Sequence, residues 1–363
     1  MIYNLKDKRD SAELDKLKLA RYVNIDLADC YNEFLKNQLK ELSSDAFAIN
    51  AKKEDYRKAF FKLTGLKEDK ENEALYDAYK IEDTPLLDDM IYRKDAYYHD
   101  IEGKEYSDEH YTLGYAKYHA KERFVYKESD SQGDDFKEIT HLGYFKEDFP
   151  YLALKKDGIT WMSLIPHEMN TMKEPILEAN GKVLALGLGL GYYPYHVLLK
   201  DNVSSLTVVD SDETIISIFK DCLLPEFKNS DKLNIVSNEA ISFLKSIKDD
   251  RFDFVFVDLW HDPADGLETY LKVKHILSAL NIKASYRIEK DMMLYLRRFL
   301  IGLIEEELSG SKDSDYEVTT TFEDRLFKFL HEELKERRID SYEDIKAILS
   351  IENLLSLSSK YPH

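Results

Sequence analysis

Three glycines at every second position, Gly187, Gly189 and Gly191, close the run Lys182-Val-Leu-Ala-Leu-Gly-Leu-Gly-Leu-Gly. Glycines so spaced let a backbone approach a ligand closely and offer it amides and a helix start. That is the chemistry of a nucleotide turn. A dinucleotide turn needs Gly-x-Gly-x-x-Gly, and here the third glycine position is Tyr192. Acids recur downstream. Asp210 closes Leu206-Thr-Val-Val-Asp, about twenty residues on, where a carboxylate can accept both ribose hydroxyls. Asp212 opens the next helix and reads as part of the same acidic pair or as an N-cap. Glu239, in Asn238-Glu-Ala240, is at least a first-turn acid favoured by the helix dipole. Asp258 ends a fourth apolar run and opens Asp258-Leu-Trp-His-Asp-Pro263. His261 has the pKa range of a general base. Asp258, His261 and Asp262 can also be read as a shared cation site, or His-Asp-Pro as a helix cap. No metal is assigned.

These residues need an edge to stand on. Strands fit 182–187, 205–210, 233–237, 253–258 and 284–288, and helices fit 191–200, 213–223, 239–248 and 265–280. Strand alternating with helix predicts a parallel sheet wound with helices, whose strand ends line a ligand crevice. The expected fold class is therefore α/β, a Rossmann-like, mostly parallel sheet. Residues 1–90 read as a helical region, with Leu14, Leu17, Val23, Leu27, Tyr31, Phe34 and Leu39 near helical spacing. Residues 91–174 read as a β-hairpin-containing appendage, with an Asp157-Gly158 turn between alternating runs. Residues 175–290 form the Rossmann-like domain. Residues 291–363 read as a helical extension in place of a final hairpin, with a polar loop at Lys312–Asp315.

Composition narrows the class. The chain has 363 residues, 44% hydrophobic and 33% charged, and a formal net charge of -19. Residues 181–280 carry 10 Lys/Arg and 15 Asp/Glu, so the expected core is itself net -5. Nucleic-acid affinity comes largely from neutralising phosphates, so this balance argues against DNA or RNA as partner. Two distant cysteines, no apolar leader and no membrane-length apolar run suit a cytoplasmic protein.

In order and spacing, the glycine loop, Asp210, Glu239 and Asp258 resemble the class I S-adenosylmethionine (SAM)-dependent methyltransferase superfamily. The resemblance covers roughly 180–280. It implies cofactor binding by Gly187, Gly189, Gly191, Asp210, Glu239 and Asp258, with Glu239 at the adenine amino group. Tyr192, Tyr193, Tyr195 and Trp260 then either surround a sulfonium by cation–π attraction or simply pack. A narrower likeness is to the spermidine synthases: His167-Glu168-Met169 before the loop, Asp210-Ser-Asp212-Glu213, a helix ending in Leu224-Pro225, and Asp258 at their catalytic aspartate. One extra residue stands before Pro263. The aspartate inside their glycine loop is Leu190 here, and the acid usual two residues before the first methyltransferase glycine is Ala185. Asp258-Leu-Trp-His-Asp also resembles the metal-side run of catechol-type O-methyltransferases.

The leading expectation is a SAM-dependent methyltransferase acting on a small molecule or peptide, with Asp258 or His261 steering or deprotonating the acceptor. The alternative is an aminopropyltransferase using decarboxylated SAM and an amine. A third reading is a non-catalytic SAM-binding protein, for which Ala185 speaks. No membrane partner is expected, and a homodimer is left open.

Overall fold

In the strands of the central sheet, neighbouring residues are buried on opposite faces. The computed structural model describes residues 1–3, 5, 8–42, 52–69, 72–73, 76–77, 83–247, 251–309 and 321–362. Five parallel strands, β8 (Gly181–Leu186), β9 (Val203–Asp210), β10 (Leu233–Ser237), β11 (Phe254–Val257) and β12 (Ala284–Tyr286), lie in the order β10-β9-β8-β11-β12. Val183, Ala185, Val208, Phe254 and Phe256 join one apolar cluster, and Leu184, Leu186, Val209, Val255 and Val257 join another on the opposite face. Period-two alternation with apolar residues on both sides is what a parallel sheet covered twice requires. Each fully buried Val, Leu or Phe side chain contributes roughly 1.5–3 kcal/mol.

The helices that cover the sheet follow its strands: α6 (Tyr192–Leu198), α7 (Glu213–Ile218), α8 (Ala240–Ser246) and α9 (Pro263–Leu280). The expected helix over 213–223 ends as a π-turn at Phe219–Leu223. The strand order reverses between β8 and β11. There the Asp258 amide donates to the Leu186 carbonyl at 2.8 Å, which sets the glycine loop beside the end of β11.

Ahead of the sheet stand α3 (Met90–Arg93), α4 (Ala96–Asp100), β2 (Tyr106–Ser107), β3 (Tyr111–Tyr118), β4 (Arg123–Gln132), β5 (Lys137–Tyr144), β6 (Phe149–Lys156), β7 (Ile159–Ser163) and α5 (Pro166–Glu178). β2-β3-β6-β7 form an antiparallel sheet, and β4 pairs with β5. Asp157 and Gly158 both have positive φ, 51° and 79°, as a two-residue hairpin turn demands.

The N-terminal region holds β1 (Ile2–Tyr3), a single 35-residue helix α1 (Lys8–Leu42) and α2 (Lys53–Thr64). The helical reading of 43–51 and of much of 70–82, the side chains of Leu27, Tyr31 and Leu39, and the Lys312–Asp315 loop lie outside the described residues. The C-terminal part is helical: α10 (Glu289–Ser309), α11 (Phe322–Leu334), α12 (Tyr342–Ile348) and α13 (Ile351–Ser358). Ser350 caps the last of these, its hydroxyl accepting the Asn353 amide. β13 (Arg338–Ile339) pairs in parallel with β1, and the Tyr342 amide donates to Asp10. Leu14 and Leu17 of α1 share a core with Leu326, Leu330 and Ile345. Among the described residues no helix is long and apolar enough to cross a membrane.

Candidate active site

A cavity of about 610 Å³ opens at the carboxyl ends of β8, β9, β11 and β12, with the β6–β7 hairpin along one side. Gly187, at φ +97°, touches the end of β11 so closely that a Cβ would lie 1.9 Å from the Asp258 carbonyl oxygen. Gly191, at φ +82°, starts α6, and a Cβ there would strike the Phe219 and Phe227 rings. Gly189 differs. Its φ is +54°, yet a Cβ would meet nothing within 4 Å, and the residue lines the cavity. The loop therefore leaves room at its centre, as a cradle for a nucleoside must.

The acids at this end are held by neighbouring backbone. Asp210 accepts the Leu188 amide through Oδ2 and the Asp212 amide through Oδ1, both at 2.9 Å, tying the end of β9 to the glycine loop. Asp212 caps α7 through the amides of Thr214 and Ile215. Glu239 caps α8, accepting from Ile241 at 2.9 Å and Ser242 at 2.7 Å. Burial works to raise its pKa, but those two amides outweigh it and the carboxyl stays below the ordinary glutamate value.

The other end is organised by one buried cation. Arg287, just past β12, has a side chain only 3% exposed. Its Nε donates to Asp258 Oδ1, and its Nη1 donates to both oxygens of Glu168 at 3.1 and 3.2 Å. Nη2 donates to the carbonyls of Trp260 and His261, and the Trp260 indole returns a bond to the Arg287 carbonyl at 3.0 Å. Burial alone would lower the guanidinium, but Asp258 and Glu168 raise it above its ordinary value. Burial pushes the Glu168 carboxyl upward; Arg287 opposes this and Asp258 adds to it, and the net shift is upward. Burial and the Arg287 charge bring the adjacent His167 down to about 4, so it is neutral at pH 7.

Residues 163–291 match the family model for the spermine/spermidine synthase domain. The matched stretch contains Glu168, all three glycines, Asp210, Glu239, Asp258 and Arg287. Two solved structures are similar in part. Spermidine synthase from Thermotoga maritima aligns at 18% identity over 42% of this chain and 59% of that one, with a TM-score of 0.31. A spermidine synthase in complex with the transition state analogue AdoDATO aligns at 18% identity over 42% of this chain and 60% of that one, with a TM-score of 0.32. The chain thus spans about three fifths of the length of these structures. No curated protein sequence matches it.

His261 lines the cavity, but Nδ1 faces Asp265 at 3.1 Å and Nε2 faces the Trp161 carbonyl at 3.1 Å. Both partners are acceptors, so a neutral imidazole donates to one of them and an imidazolium to both; the ring lies between β7 and the start of α9. Asp262 caps α9 through Ala264 and Asp265 in a reciprocal capping box. Among the described residues no group of three or more His, Cys, Asp or Glu is placed to hold a metal ion. Ala185 is fully buried within β8, and Leu190 packs in the core while its carbonyl accepts the Tyr97 hydroxyl. Tyr192, Tyr193 and Trp260 line the cavity; Tyr195 instead bonds Asp100, and the Tyr192 hydroxyl bonds Asp95 at 3.0 Å.

Sequence reasoning missed Arg287 as a site residue and gave Glu168 no role. The signal for Arg287 was its place, immediately after the fifth strand, at the same edge as Asp210 and Asp258. Trp161 and Met162 also line the cavity, and nothing in their own hairpin pattern points to it.

Proposed function

We propose that this chain is an adenosyl-sulfonium transferase that moves the aminopropyl group of decarboxylated SAM to an amine, in the manner of the spermidine synthases. The observation that carries this reading is the pairing of Glu168 with Asp258 across Arg287, on the cavity wall where Gly187 abuts the end of β11. The glycine loop fits the nucleoside by the open space over Gly189. Asp210 is at hand for the ribose hydroxyls and Glu239 for the adenine edge. When bound, the donor supplies an alkyl carbon that an amine nitrogen can attack, the C–S electron pair leaving on sulfur.

The protein's own part is positioning and proton acceptance. Arg287 engages Oδ1 of Asp258, and Oδ2 is the oxygen that orients the attacking nitrogen and takes its proton. His261 closes the site by holding β7 to α9 and is not the base in this arrangement. Methyl transfer from SAM is the second reading. Leu190 in place of an acid favours it, since that position offers no carboxylate to an aminopropyl ammonium.

Calorimetry with SAM and with decarboxylated SAM separates the two. Tighter binding of the decarboxylated form, and release of 5′-methylthioadenosine with an added amine, is the expected result. Preference for SAM with release of S-adenosylhomocysteine would transfer the assignment to the methyl reading. Asp258→Asn is expected to lower transfer by about 10²–10⁴-fold with nucleoside affinity retained.

A further inference from the structure

We infer that the acceptor is a monoamine with an apolar body, selected because Arg287 cancels one of the two carboxylates at the acceptor end. The inference rests on the aminopropyl-transfer reading for the reaction, but its charge argument stands on the cavity alone. Glu168 and Asp258 carry at most two negative charges between them, since burial pushes the Glu168 carboxyl towards its neutral form. Arg287 stands between them with every nitrogen donating and its side chain 3% exposed. It has no free donor and no path to solvent, so its charge stays. At most one net negative charge remains for an incoming ammonium.

A diamine would bring a second ammonium to a cavity whose other acids already accept backbone amides and, with the donor bound, face the nucleoside. Asp210 holds the amides of Leu188 and Asp212, Asp212 holds Thr214 and Ile215, and Glu239 holds Ile241 and Ser242. A desolvated charge without a partner is strongly disfavoured. At the hairpin side the bias continues, for Lys156 Nζ lies 5.5 Å from the centre of the Trp161 ring and adds a positive charge there. The net charge of -19 does not reverse this, because charges beyond roughly 8 Å are largely screened at physiological salt.

Several apolar side chains line the cavity with the acid pair. Met172 lies one turn after Glu168 on α5, Leu259 follows Asp258, and Trp161 and Met162 face the cavity from β7. Trp161 is 40% exposed and Ile159 75% exposed, which extends an apolar surface outward along the hairpin. An alkyl or aryl chain with one amino terminus matches both features.

The decisive comparison is n-hexylamine against 1,6-diaminohexane, which differ by one ammonium. Binding of each to the full chain is measured by calorimetry with and without 5′-methylthioadenosine. The monoamine is expected to bind at least about tenfold tighter, equal to ~1.4 kcal/mol. Arg287→Gln should narrow or reverse that ratio, with folding checked by thermal melting. If that variant does not fold, Lys156→Ala serves, and a two- to threefold narrowing is expected. Equal or tighter binding of the diamine by the unmodified chain overturns the inference, as does failure of both amines to bind. Preferential hexylamine binding without methylthioadenosine release from decarboxylated SAM would sink the transfer reading and leave the charge selection standing.

Discussion

The two ends of the cavity hold their acids by different means. At the nucleoside end, Asp210, Asp212 and Glu239 are fixed by backbone amides, mostly two or three residues away in sequence. At the proposed acceptor end, Glu168 and Asp258 are fixed by one guanidinium 119 and 29 residues away. Local amides stabilise a carboxylate wherever the turn forms. A distant cation does so only once the whole sheet edge is assembled. The first end is therefore a property of each strand–helix turn, and the second is a property of the fold.

Removing the cation tests this most severely. Arg287→Ala leaves Glu168 and Asp258 facing each other in a partly desolvated site, and a loss of about 3–5 kcal/mol is expected in urea unfolding. Unchanged stability would mean that the two acids are held by something other than Arg287. The glycine loop gives the next contrast. Gly187→Ala drives a Cβ into the Asp258 carbonyl and should cost about 3 kcal/mol. Gly189→Ala meets no atom, so its cost is that of a positive φ, about 1 kcal/mol. Its larger effect falls on nucleoside affinity, expected to drop about tenfold. Equal behaviour of the two variants in melting and in calorimetry would remove the distinction between packing and cradle.

The ends should also differ in the sign of their pH dependence. The folded Glu168 is raised, so its contribution to stability is whole below the ordinary glutamate value and fades as pH rises through its folded value. Glu168→Gln is expected to flatten the stability curve on that rising side. The folded Glu239 is lowered, so its contribution is present above the ordinary value and lost as pH falls through the folded one. Glu239→Gln should flatten the acid side, by only a few tenths of a kcal/mol because the group is largely solvated. Melting curves from pH 3 to 8 would show the two slopes, and slopes of the same sign would undo the comparison.

This division also explains what could be read from the sequence. The five strands were legible because apolar runs such as Phe254–Val257 end in turn and cap residues that announce themselves locally. Gly187, Asp210 and Glu239 were legible for the same reason. The role of Asp212 as a cap was open in the sequence, and two amides fix it in the structure. Arg287 was hidden because a lone arginine after a short strand has no local pattern; only the strand order β8-β11-β12 brings it to Asp258. His261 reaches the cavity, but its two partners, Asp265 and the Trp161 carbonyl, lie in elements that no local pattern joins.

Parallel pairing of β1 with β13, with Asp10 receiving the Tyr342 amide 332 residues away, sets a timetable for synthesis. Leu14 and Leu17 reach their core partners only after Leu326, Leu330 and Ile345 have been made. At roughly 5–20 residues per second, Leu14 and Leu17 leave the ribosome tens of seconds before those three partners do. The sheet and its glycine loop can form in that interval. The last helices then close over both the newest and the oldest parts of the chain, so a stall late in translation would leave a formed sheet with an uncovered flank.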